Sequence, residues 1–145
     1  MSKEFGSMPL TWKKLGEYND ETDIYLCDQI VDIRRFDEKS NEWNESELKR
    51  WLNCEFYRKA FSDEQRKQIV RNEITQDCVF LLSVEEFIKY KRRIAIATDY
   101  WWLRSRGNFT SYAAIVHNHS AINDGCNVVI NYCVRPAILL MKKAK

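Results

Sequence analysis

Between Gly107 and Cys133 the chain contains no Lys, Glu, Gln, Met or Trp, although those five types make up about a third of the residues elsewhere. Charged residues alone are about a quarter of an ordinary soluble protein, so a run this long without these types points to a restricted vocabulary. The five missing types are those that no codon ending in a pyrimidine encodes. Asn, which AAC and AAT do encode, recurs at Asn108, Asn118, Asn123, Asn127 and Asn131. Together these features point to codons that have been diversified.

Other absences narrow the function classes. No apolar run approaches the ~18 residues of a membrane-spanning helix, and Met1 to Leu10 lacks the basic and apolar regions of a secretory signal, so no membrane insertion is expected and a cytoplasmic or virion-associated protein is. The net charge is only +2, from 23 basic and 21 acidic residues interspersed along the chain, which argues against a nucleic-acid partner. Five cysteines, Cys27, Cys54, Cys78, Cys126 and Cys133, form an odd set without a C-x-x-C pair, and free thiols are expected. There are no internal repeats or linkers. A chain of 145 residues, 45% hydrophobic, suits a single domain over 1–145 with one core.

The first third reads as a strand hairpin, Leu10-Thr11-Trp12 and Ile24-Tyr25-Leu26-Cys27 flanking the polar turn Glu17 to Asp23. Asn44 with Glu47 predicts a capped helix carrying Leu48, Trp51, Leu52, Phe56 and Ala60 on one face. Ser62 with Gln65 predicts a second, running to about Val70, and Ser83 with Glu86 a third, carrying Phe87 and Tyr90. Cys78 to Leu82 reads as a buried strand. The basic cluster Lys89, Lys91, Arg92 and Arg93 reads as a solvated helix end complementing the macrodipole. From Tyr100 onward, Asn, Ser, Gly and β-branched residues predict short strands joined by tight turns.

Trp101-Trp102-Leu103-Arg104-Ser105 leads into the restricted stretch and Val134-Arg135-Pro136-Ala137 closes it; Phe5 to Ser7 (F-G-S), Leu10 to Leu15, Ser46 to Asn53 and Phe80 to Glu86 precede it in order. This frame resembles a bacterial and phage family of unknown-function domains ending in WWLRSPG…GVRPA, and within it the variable proteins of diversity-generating retroelements. The chain departs from that pattern at Arg106, where Pro is usual, and at Ser120 and Cys133, where Gly is usual. The resemblance implies an α+β, C-type-lectin-like fold of the formylglycine-generating-enzyme subtype, with short antiparallel strands and two or three helices. It also implies that 107–133 is a variable region whose AAY codons are diversified by adenine-directed mutagenesis, with no calcium requirement.

Tyr, Ser, Asn and Gly, abundant here, are the types that antibody loops use for recognition. The expected ligand-binding set is Phe109, Tyr112, Ile115, His117, His119, Ala121, Asp124, Cys126, Val128, Ile130 and Tyr132, alternating with Ala114, Val116, Ile122, Val129 and Val134 inside. Trp101, Trp102, Arg104 and Arg135 are expected to be scaffold, with Trp12 and Trp51 also in the core and the two arginines bonding loop carbonyls. His117, His119, Asp124 and Cys126 suggest a metal site, but they match no known ligand spacing and diversified AAY codons encode all three types, so no metal, cofactor or catalytic residue is expected. The ligand is expected to be a protein. One alternative, by analogy with formylglycine-generating enzymes, is a copper or thiol oxidoreductase using Cys126 and Cys133. The other is a phage tail or surface module without diversification.

Overall fold

The computed structural model describes residues 2–4, 9–96 and 99–142; the Phe5 to Ser7 string lies outside them. The described residues form an α+β structure. Its ten strands are β1 (Ser2–Glu4), β2 (Thr11–Glu17), β3 (Thr22–Cys27), β4 (Asp32–Arg34), β5 (Ile69–Val70), β6 (Trp101–Arg106), β7 (Tyr112–His117), β8 (Ser120–Asn127), β9 (Tyr132–Val134) and β10 (Ala137–Met141). One sheet has the order β1-β2-β3-β10-β5 and is antiparallel throughout. The other has the order β4-β9-β6-β7-β8, antiparallel except where β6 meets β9 at Trp101 and Cys133.

The expected hairpin is β2–β3. Its turn is held by the Asn19 carboxamide oxygen, which accepts from the Glu21 and Thr22 backbone N–H groups and the Thr22 hydroxyl, the local bonding that makes Asn a turn former. The strand β10 lies against β3, so segments from both ends of the chain share one sheet.

The helices are α1 (Glu47–Trp51), α2 (Tyr57–Ala60), α3 (Asp63–Gln68) and α4 (Val84–Tyr90), with a π turn at Leu52–Phe56 joining α1 to α2. Leu48, Leu52, Phe56 and Ala60 are buried along one face, as the spacing predicts. The cap differs from expectation. Trp43–Glu45 forms a 3-10 turn, leaving Ser46 extended, and the Ser46 hydroxyl rather than the Asn44 side chain accepts from the Lys49 N–H. Both later capping boxes form, at Ser62/Gln65 and Ser83/Glu86. The second helix stops at Gln68 because Ile69 and Val70 turn extended and pair with β10.

Val79, Phe80, Leu81 and Leu82 are fully buried, but Cys78 to Leu82 is not a regular strand. Phe80 alone bridges to Ala137, with hydrogen bonds in both directions. Asn53 serves the neighbouring backbone instead, accepting from the Cys78 and Val79 N–H groups and donating to the Val79 carbonyl. Side-chain amides can thus meet the hydrogen-bonding demand of buried backbone.

Trp12, Trp101 and Trp102 are buried with Phe36, Phe61, Phe80 and Phe87. Trp51 is the exception to the expected core set. It is half-buried, with the Arg34 guanidinium 4.1 Å above its ring centre. The two scaffold arginines behave as expected: Arg104 donates to the Leu81 carbonyl (2.7 Å) and pairs with Glu86 (2.5 and 2.9 Å). Arg135 donates to the Cys27 (2.8 Å) and Ala95 (3.0 Å) carbonyls, with its guanidinium over the Trp101 ring. Each arginine ties chain segments to the sheet bearing the restricted stretch. Among the described residues no helix is long and apolar enough to cross a membrane.

Candidate ligand-binding face

Asn118 and His119 form a two-residue turn between β7 and β8, at φ 51° and 63°. Positive φ at both central residues is the geometry whose twist matches a hairpin, and Asn and His tolerate it better than most side chains. Ser120 is regularly paired with His117, so the turn has no need of glycine there. The register continues as Val116 with Ala121 and Ile115 with Ile122. Residues directly opposite share a face of the sheet, so odd positions on β7 share a face with even positions on β8. Counting odd positions as outward on both strands therefore fails at the turn. Ala121 packs towards the core and Ile122 is exposed.

A bulge follows. Between the Ile115–Ile122 and Ala113–Cys126 pairs, β7 contributes only Ala114 while β8 contributes Asn123, Asp124 and Gly125. Gly125 takes φ +81°, and a Cβ there would run into the Ala113 carbonyl, so the bulge depends on glycine. Gly107 is equally constrained, since a Cβ would strike the Asp124 carbonyl oxygen and Tyr112. The bulge is bound to this loop by Asn108, whose N–H donates to the Asp124 carbonyl and whose amide donates to the Asp124 carboxylate.

Beyond Asn127 the chain leaves the sheet. Val128 exchanges backbone hydrogen bonds with Ser111 and Phe36 and is completely buried, while Val129 and Ile130 project from a turn at 45% exposure each. Two of the expected ligand-binding residues are therefore corrected to core: Val128, and Ile115, which is paired across the sheet with Trp102, itself packed against Phe36 and Tyr132. Ile122 and Val129, expected inside, are exposed. Ala114, Val116 and Val134 are buried as expected. Phe109, Asp124 and Ile130 are exposed, and Tyr112, His117, His119, Ala121, Cys126 and Tyr132 are half-buried.

The two histidines diverge. His117 stacks on Tyr100 with ring centres 4.0 Å apart, and Tyr100 stacks on Tyr132 at 5.4 Å. Tyr132 in turn meets Trp102 edge-on. His119 packs edge-on against Phe87 of α4. Hydrogen bonding with Cys126, followed by burial, pushes the Tyr132 hydroxyl up to about 12. Burial also pushes the Cys133 thiol up, assisted by the charge of Asp99. No three or more His, Cys, Asp and Glu side chains cluster as metal ligands among the described residues, and the described cysteines are free. The face thus carries rings, aliphatic side chains and amides beside two histidines, Asp124 and Cys126.

Tyr100 precedes the restricted stretch, so the vocabulary signal does not reach it, although its two-residue spacing from Trp102 sets both on one face of an extended strand. A neighbouring groove of about 340 Å³, lined by Asp32 to Arg35, Glu47, Leu48 and Asn131, draws one wall residue from the stretch.

Residues 21–99, more than half of the chain, match the family model of a domain of unknown function, DUF6273, and the chain belongs to that family. The matched span ends before Gly107. No curated protein and no solved structure matches the chain.

Proposed function

We propose that this chain is a non-enzymatic recognition module with a C-type-lectin-like fold, whose 107–133 face is diversified by a retroelement and binds a protein ligand without a cofactor. One observation carries the reading. At the exposed positions of the stretch, apolar and polar residues stand side by side: Phe109, Ile122, Val129 and Ile130 beside Asn108, Asn123, Asp124 and Asn131. Its buried positions are uniformly small or aliphatic, namely Ala113, Ala114, Ile115, Val116, Val128 and Cys133. Burial therefore governs chemistry inside and solvent does not govern it outside, as expected where outward residues are varied and then selected for binding.

The test is genomic. DNA around the coding sequence, read from several isolates, should contain a near-identical repeat with adenines opposite codons for exposed positions, beside a reverse transcriptase. Isolates should differ at positions such as 109, 122, 123 and 130 and agree at 115 and 128. Absence of a repeat, or variation spread evenly over the chain, would remove the retroelement from the account.

A further inference from the structure

We infer that Tyr100, outside the restricted stretch, is a fixed binding residue of the face, a constant ring against which the side chains at 117 and 132 are set. The inference rests on the diversified-face reading. Three observations support it. Tyr100 stacks with both His117 and Tyr132, at 4.0 and 5.4 Å, so it is the shared member of a three-ring array whose outer members both lie in the stretch. Its backbone is fixed, because its carbonyl accepts from the Cys133 N–H at 3.0 Å where β6 meets β9. It remains 36% exposed, and its hydroxyl has no hydrogen-bond partner among the described residues. Trp101 and Trp102 beside it are buried, so the fold fixes the position of Tyr100 without enclosing its ring.

A rigid tyrosine gives contact area at small entropic cost, with a polar tip for adaptable hydrogen bonding. In a face whose other members change from clone to clone, one such ring supplies affinity that does not depend on the outcome of diversification. Independent binders to a protein surface should therefore share a dependence on Tyr100.

The experiment is a cell-surface display library of the full chain with codons 109, 117, 122, 124, 130 and 132 randomised, panned against egg-white lysozyme as a protein probe. Each binder is then remade with Tyr100→Ser and with Tyr100→Leu, and its Kd and melting temperature are measured. Most independent clones should weaken on the order of tenfold or more, the scale of a central interface anchor, with little change in melting. Where the Ser variant melts early, the Leu variant, which keeps apolar bulk between the side chains at 117 and 132, decides. Binders unaffected by either change would overturn the role of Tyr100 and leave the diversified face standing. A folded library that yields no binder would overturn both.

Discussion

Ile115 and Ile122 are the same residue type on adjacent strands of one hairpin, directly opposite one another, yet one is fully buried and the other is 37% exposed. What separates them is position in the sheet. Ile115 has β6 with Trp102 on its far side, whereas β8 is the sheet edge. Ile115→Asn and Val128→Asn should each cost about 3–5 kcal/mol, combining lost apolar burial with an amide forced out of water. Ile122→Asn and Ile130→Asn should stay within about 0.5 kcal/mol, as exposed substitutions do. Urea melts of the four variants check this. Ile115 and Ile122 also mark where the sequence stops being legible. Alternation alone predicts that two faces exist, but a two-residue turn exchanges odd for even positions, and nothing in Asn118-His119 announces that turn as Asn-Gly would.

At the scale of elements, the bulge in β8 and the capped start of α4 position the face. The bulge was not legible, because one glycine among small residues does not distinguish a bulge from a loop. Gly125→Ala should destabilise by more than about 1 kcal/mol, since both the positive φ and the Ala113 carbonyl oppose a side chain; thermal unfolding measures it. The α4 cap was fully legible from Ser83 and Glu86. The sequence did not reveal that Glu86 also pairs with Arg104 and accepts from the Tyr18 hydroxyl. Burial alone would raise the Glu86 carboxyl, but hydrogen bonding with Arg104, its positive charge, the Ser83 N–H and the Tyr18 hydroxyl outweigh it and hold the group below its usual value. A depressed carboxylate contributes its full stability above the unfolded-state value of about 4.3 and loses it as pH falls through the folded-state value. Melting temperature should therefore fall with acid below about pH 4.5. Glu86→Gln should lower it at neutral pH and flatten that decline, whereas an unchanged acid slope would show that the pair is not what titrates.

Across the whole molecule, stability comes from a core continuous between the two sheets, with the arginines fastening segments to it. Arg135 alone joins β3, the segment at Ala95 and the Trp101 ring. The hairpin, the two later helix caps and the aromatic core apart from Trp51 were legible because burial periodicity and capping are local signals. The pairing of β10 with β3 was not, because it joins residues more than a hundred positions apart. As the core is apolar and the described thiols are free, neither a chelator nor a thiol reductant should change the melting temperature. A drop of several degrees in chelator would call for a metal in the account. The most direct test of the central claim, a fixed scaffold beneath a permissive face, is saturation mutagenesis of 107–133 read out by protease resistance on a display surface. Near-complete tolerance is expected at Phe109, Ile122, Asn123, Val129 and Ile130, and intolerance of polar residues at Ile115, Val116 and Val128 and of any side chain at Gly107 and Gly125. Polar residues tolerated at Ile115 and Val128 but rejected at Ile122 and Ile130 would contradict it.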